Sequence, residues 1–263
     1  MVHREEKGAV LVITQPAHAW LSGQIARAWG NERFGSFEPH EELCLTAEQH
    51  DCGWHEWEFA PTLDPGTGLP YRFDEMPLNQ HLRVWPIGVQ MMGGMSRYSA
   101  LLVCLHGLWL RNRNTEPKEP AEREMVRRYV ECQELAKDNL IAELRRDSGY
   151  ARHASDAAIE RNRALISAWD WLSLGLCMRS GGEWVATEVP DARGLCSLRI
   201  TPVGDSGFAW RVEPWPFRAG SVELICQGRR LEGRFNDAEA MRAALAAAPR
   251  IPLSFRFVDV ADR

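Results

Sequence analysis

The sequence predicts a mainly α chain: a helical bundle over residues 1–180, followed over residues 181–263 by an antiparallel β-rich portion with one helix. Three observations predict it. Apolar residues recur at helical spacing in successive segments up to about position 179. The composition changes at Gly181-Gly182, a stop signal for the helix before it. Beyond that point come short alternating apolar and polar runs broken by Gly and Pro, the pattern of antiparallel strands.

Taken in order, residues 8–13 (Gly-Ala-Val-Leu-Val-Ile) read as a short strand. A helix follows over 16–29. Pro16 suits its start because the missing N–H costs nothing there, and Ala17, Leu21, Ile25 and Ala28 form one stripe. A second helix covers 41–52 and carries His50-Asp51. Residues 59–79 are rich in Pro, Gly and Asp and cannot be regular. A loop that long inside a compact domain is functional, mobile or a surface excursion. This one directly follows the His-Asp pair and stands where it could cover it.

A helix then begins near His81, with Pro86 expected to interrupt or kink it, and another spans 95–111. The segment 119–147 reads as a long helix with Met125, Tyr129, Cys132, Leu135 and Leu144 on one face and its charge runs in solvent. Ser155 can cap the helix that carries Asp170, which ends near Arg179. The strand runs after Gly182 include Glu-Trp-Val-Ala-Thr-Glu-Val and Leu-Ser-Phe-Arg-Phe-Val, with an Ala-rich helix over 237–248 before the last of them.

Composition narrows the function classes. With 263 residues and 45% hydrophobic side chains, a sizeable core is within reach in one large or two small domains. A net charge of −5 argues against nucleic acid as a bulk electrostatic partner. No apolar run approaches the ~20 residues of a membrane helix, and the N-terminus is too polar for a secretory signal. The seven cysteines are scattered, with no Cys-x-x-Cys pair, and read as reduced thiols of a cytoplasmic protein. Eleven tryptophans is a high count; they fill the core or wall a pocket.

His50-Asp51 is the most informative pair. Imidazole and carboxylate together suit a borderline or hard divalent metal, but two neighbours cannot close a coordination shell. Other candidates stand in similarly apolar settings. His18 falls in the first turn of the 16–29 helix. His81 opens His-Leu-Arg-Val-Trp. His106 lies in the apolar run Leu-Val-Cys-Leu-His-Gly-Leu-Trp, and Asp170 sits between Trp169 and Trp171 in a helix apolar nearly all round. A buried carboxylate is costly unless a partner neutralises it. Each residue alone also reads as a core residue with a backbone, Arg or Trp partner; the set of six is what points to metal. His3, His40 and His153 have polar neighbours and read as surface.

The order His18, His50-Asp51, His81, His106, Asp170 resembles the HD-domain superfamily of metal-dependent phosphohydrolases, over about residues 16–177. The segments Gln-x-x-His-x-x-Leu and Gln-His-Asp-x-Gly-Trp look like an uncharacterised bacterial branch of it. The resemblance implies an HD-like helical bundle. It also implies one or two divalent ions (Fe, Mn, Zn or Mg) held by His18, His50, Asp51, His81, His106 and Asp170. The substrate would be a small phosphorylated molecule, a phosphoester or nucleotide, attacked by hydroxide that the metal generates near neutral pH.

Asp51 would bridge to a second ion held by His81 and His106. Where many members of that superfamily carry Lys or Glu after the His-Asp pair, this chain has Cys52, Gly53 and Trp54, so His55 or Glu56 is the candidate proton carrier. With only Lys7, Lys118 and Lys137 as lysines, phosphate contact falls to arginine, and Arg72, Arg83 and Arg97 are best placed along the chain. Two alternatives stand beside the hydrolase: an HD-type di-iron oxygenase, which His81 and His106 suit equally, and a degenerate HD domain serving as a binding module.

Overall fold

Strand β1 (Val2–Glu6) turns back into β2 (Ala9–Ile13), a five-residue run that is buried throughout. A continuous apolar strand, without alternation, is the mark of burial on both faces. Here Leu11 and Ile13 enter the main core, while Val10 and Val12 join a smaller cluster with Leu69, Leu231 and Leu245. The computed structural model describes residues 1–259.

β1 and β2 belong to one seven-stranded sheet of order β1-β2-β8-β9-β7-β6-β5. The remaining strands are β5 (Trp184–Asp191), β6 (Gly194–Pro202), β7 (Ala209–Glu213), β8 (Ser221–Glu232) and β9 (Arg250–Val258). A two-residue pair, β3 (Leu63–Asp64) with β4 (Leu69–Pro70), stands apart. All pairings in the large sheet are antiparallel except β7 with β9. In β8 the alternation is clean: Val222, Leu224 and Cys226 are buried and Glu223 and Ile225 are exposed.

The chain is 48% helix and 23% strand, with the sheet curled into a half-barrel. This α/β architecture replaces the mainly helical, HD-like bundle that the sequence predicts. The error has a physical origin. Residues 2–13 are a hairpin rather than one strand, and β2 pairs with β8 more than two hundred residues away (Ala9↔Glu232, Val12↔Arg229). Strands from both sides of the 180/181 boundary thus share one sheet. One core does likewise, holding Leu21 and Leu165 together with Leu198 and Phe255.

The helices are α1 (Gln15–Ala28), α2 (His40–Gln49), α3 (His55–Phe59), α4 (Leu78–Gly93), α5 (Arg97–Arg113), α6 (Pro120–Arg146), α7 (Asp156–Met178) and α8 (Ala238–Ala247). α1 and α7 lie against the sheet, α1 along β8 and α7 along β5 and β1. Local signals explain their starts. Thr14 Oγ1 accepts from Ala17 N before α1, Ser96 before α5 and Ser155 before α7 do the same, and Pro16 sits in the first turn of α1. α4 runs uninterrupted through Pro86, with Leu82, Val84 and Trp85 buried around it. α6 turns Val126, Tyr129, Gln133 and Leu144 inward. Met125, Cys132 and Leu135 are exposed, so the buried face lies to one side of the one its sequence suggests. No helix among the described residues is long and apolar enough to cross a membrane.

Two close approaches fix the helices that matter most. Buried Arg4 of β1 donates to the Leu176 carbonyl in the last turn of α7 and to Gly207 O, both at 2.9 Å. A cation at a helix C-terminus is favoured by the peptide dipoles. At Gly53, in the 3-10 turn Cys52–Trp54, a Cβ would stand 2.0 Å from Val84 O and 2.8 Å from Gly88 N. The turn that follows His50-Asp51 is therefore pressed directly onto α4. Gly53→Ala is expected to cost about 3 kcal/mol through overpacking, lowering the Tm by roughly 6–12 °C. Gly93→Ala, at an exposed helical position where a Cβ meets nothing within 4 Å, should leave the Tm unchanged or raise it. Thermal unfolding of the two variants decides; equal melting points would mean that the turn does not need this contact.

Candidate metal centre

Four elements deliver five side chains to one buried point. His18 comes from the first turn of α1, His106 from α5, Asp170 from α7, and His50 and Asp51 from the end of α2. The sequence places that pair inside a helix, where neighbouring side chains point about 100° apart. In the structure α2 ends at Gln49, His50 is its cap, and Asp51 leaves the helical conformation (φ −99°, ψ 17°). Leaving the helix lets both side chains turn to one centre.

The ligand atoms form two overlapping trios, His18–His50–Asp51 and His50–His106–Asp170, each with its atoms within 4.8 Å of one another. His18 Nε2 lies 2.8 Å from Asp51 Oδ2 and 3.6 Å from Asp170 Oδ1. His50 Nε2 is 3.4 Å from Asp170 Oδ1 and 3.5 Å from Asp51 Oδ2, and His106 Nε2 is 3.4 Å from Asp170 Oδ2. All five residues are buried.

The far nitrogens show how the rings are held. His50 Nδ1 meets the Ala47 carbonyl at 2.9 Å and therefore carries a hydrogen. His18 Nδ1 meets Ser173 Oγ at 2.8 Å; that hydroxyl donates to Asp170 O, so it accepts from the ring. His106 Nδ1 lies 3.2 Å from Ser167 Oγ, a hydroxyl that accepts from Arg163 Nη1. With Nδ1 engaged by an outer group, each ring turns Nε2 to the centre, the arrangement of metal-ligating histidines.

Two further facts fit a cation. Nε2 of His50 and of His106 are buried without a hydrogen-bond partner, despite the carboxylates nearby. Among the described residues Asp51 and Asp170 have ion-pair partners among the histidines alone, with no lysine or arginine. Two buried carboxylates need compensation, and a divalent ion supplies it in full. These His and Asp residues could hold a metal ion, of a kind the geometry does not specify.

Without an ion, protons do the compensating. Burial by itself would push the His50 imidazole down, but Asp51 and Asp170 outweigh it and raise its pKa from the ordinary 6.5 to about 9. Burial works against both carboxylates as ions. His50 and His18 nevertheless hold Asp51 below the usual range, and His106 and His50 hold Asp170 below it.

The cavity beside these residues has a volume of about 300 Å³ and is lined also by Gln15, Trp54, Phe73, His81, Arg111 and Asn114. His81 stands in this wall, between Trp54 (ring centroids 5.7 Å apart) and Trp85 (6.4 Å), but in neither ligand trio. Burial lowers its pKa, with Arg111 acting the same way and Asp51 opposing. Phe73, Asp74 and Met76 bring the 59–79 segment over the site.

Other sequence expectations are corrected. Arg72, Arg83 and Arg97 do not line the cavity; each is engaged by a carboxylate, Arg72 by Asp74 of the cavity wall at 2.7 Å, Arg83 by Glu56 at 3.0 Å and Arg97 by Asp147 at 2.6 Å. Glu56 is accordingly turned outward, and His55 Nδ1 donates to Cys52 O at 2.6 Å, away from the cavity. His153 is buried, with its carbonyl accepting from Tyr98 Oη, so it is no surface residue.

The sequence reading missed Arg111 and Gln15. Gln15 is 3% exposed, and its Oε1 has no partner. It stands one turn before His18 on the same face, and Ser167 and Ser173 stand three residues either side of Asp170. That i, i+3 spacing was a usable signal. Arg111 had none, since it lies five residues beyond His106 among other arginines.

A family model described as "Protein of unknown function (DUF3891)" matches residues 1–233. No curated protein and no solved structure matches the chain.

Elemental analysis should find a transition metal in the native protein, only traces in His50→Ala, and parental amounts in the exposed His40→Ala. At pH 7.5 the metal-free chain carries a proton on His50, so uptake of an ion should release about one proton, and the affinity should climb as pH rises toward about 9. The sign follows from the raised value: the charged imidazole stabilises the metal-free fold fully below 6.5 and stops doing so as pH passes about 9. Titration calorimetry in buffers of different ionisation enthalpy counts the protons. Uptake without release, or equal metal in both variants, would remove His50 from the centre.

Proposed function

We propose that this chain, which belongs to the DUF3891 family, is a metal-dependent hydrolase of a small phosphoester. The observation that carries the proposal is the ligand cluster itself. Three imidazoles and two carboxylates converge at the wall of a cavity that also holds Arg111, an arginine without a carboxylate partner among the described residues. The order of ligands along the chain supports it too, since it resembles that of the HD-domain phosphohydrolases.

A divalent ion held by His18, His50, Asp51, His106 and Asp170 would act as a Lewis acid toward a phosphoryl oxygen and lower the pKa of a water beside it. The chain's own groups do the rest. Arg111 donates one Nη2 to the Asn114 and Thr115 carbonyls (3.2 and 2.8 Å), which steadies the side chain and leaves its other N–H groups for an anion. Gln15 offers an unpaired carbonyl oxygen to a water or hydroxyl hydrogen. His81, kept neutral by burial, can accept a proton in the cavity. Trp54 and Trp85 flank it, and Phe73 and Met76 add apolar side chains to the cavity wall. The five ligands form one compact group. The di-iron oxygenase alternative would need His81 to join it.

Protein loaded with Mn²⁺ should release phosphate from phenyl phosphate. Arg111→Met should lower kcat/KM by roughly a hundredfold, and Arg72→Gln should leave it unchanged. His81→Gln should lower kcat while the metal content stays parental. Release that persists in His50→Ala, or that does not exceed Mn²⁺ alone, would end the hydrolase reading.

A further inference from the structure

The metal cavity opens into a second, larger one of about 670 Å³. The two share Phe73, Asp74, Leu110, Asn114, Asp170 and Leu174, so the Asp170 carboxylate stands at their junction. The chemistry changes across it. On the metal side imidazoles, carboxylates and the Gln15 amide share the wall with Trp54, Met76 and Trp85. Beyond Asp170 it is Trp109, Trp171, Leu174, Met178, Trp184 and Val185. Trp171, Met178 and Val185 are 47%, 37% and 42% exposed, among the few large apolar side chains left in contact with solvent. α7 carries Asp170 and three of these residues, and Gly175 lets β5 approach it closely. A Cβ there would stand 2.6 Å from the Trp184 ring.

Charges of both signs border the apolar wall, Arg113, Arg163 and Arg179 with Asp74, Asp170 and Glu188. The Arg113 guanidinium lies 4.7 Å from the Trp109 ring centre and pairs with Glu188. Arg179 lies 5.5 Å from the Trp184 ring centre and has no carboxylate partner among the described residues. Exposed aromatic surface adjoining a cavity that holds Arg111 and the ligand cluster matches an anion attached to a flat apolar body.

We propose that this second cavity receives the leaving group of the substrate, and that the substrate is a phosphate monoester of an aromatic alcohol. The inference rests on the hydrolase reading for its chemistry and deepens it by naming the substrate class. The phosphate lies against Arg111 and the ligand cluster, and the aromatic body crosses the Asp170 junction to lie among Trp171, Leu174 and Met178. Hydrolysis breaks the bond from phosphorus to the aryl oxygen and forms one to the oxygen of water. A proton from that water ends on the aryl alcohol.

The test uses binding, so that it stands apart from turnover. Titration calorimetry on the Mn²⁺-loaded chain compares 1-naphthylphosphonate, which cannot be hydrolysed, with methylphosphonate. The naphthyl compound should bind more than about tenfold tighter, because it buries an apolar face that the methyl compound lacks. Trp171→Ala and, separately, Met178→Gln should each bring the ratio toward one, with methylphosphonate affinity and metal content as in the parent. Equal affinity for the two phosphonates in the parent overturns the proposal, as does a ratio unmoved by either variant. Should the naphthyl compound bind as expected while no ester is hydrolysed, the cavity assignment is upheld and the hydrolase reading fails.

Discussion

Two buried carboxylates, Asp51 and Asp170, lie close together in the interior with no lysine or arginine among the described residues to balance them. That pair constrains everything around it. Charge of that density cannot stay in a low-dielectric interior uncompensated. The chain surrounds it with three imidazoles whose outer nitrogens are already committed to Ala47 O, Ser173 Oγ and Ser167 Oγ. The result is a preorganised group of donors for a divalent ion; without one, the carboxylates hold a proton on His50, whose pKa is raised to about 9.

The sheet is what makes such convergence stable. α1 and α7 lie on the half-barrel and bring His18 and Asp170 to a fixed separation. Arg4 ties the end of α7 to β1, and Gly175 seats α7 on Trp184. On the other side Gly53 presses the turn after Asp51 onto α4, while α5 packs against α7 and brings His106 within reach of Asp170. The tryptophans divide their labour. Trp29 and Trp169 fill the core with edge-on contacts to Phe34, Phe37 and Phe217. Trp54, Trp85 and Trp109 stand around the cavities, and Trp109 lies nearly parallel to His106 with a guanidinium 4.7 Å from its ring centre. One aromatic ring thus links a ligand to the charged border of the larger cavity.

Much of the centre was legible along the chain for a local reason. A histidine or aspartate flanked by apolar residues at helical spacing must be buried, and a buried polar group needs a partner. That logic singled out His18, His50, Asp51, His106 and Asp170, which the structure assembles. It could not separate His81, buried in the same cavity wall but outside the ligand group. It also failed for the arginines. Whether an arginine meets substrate or a surface carboxylate depends on neighbours distant in sequence, and Arg72, Arg83 and Arg97 each found Asp or Glu.

By itself the sequence determined the local elements: the helix starts at Pro16 and Ser155, the end of the helix before Gly181, the alternating strands beyond it, and the burial of His18, His50, Asp51, His106 and Asp170. Each follows from spacings within a few residues. Only the tertiary structure decided that β1 and β2 complete a sheet with β8, that the fold is therefore α/β, and that Arg111 and Gln15 share a cavity with the ligands. Strand pairing and cavity walls join residues far apart in the chain, and the energy of those contacts depends on complementary surfaces that no short window of sequence contains.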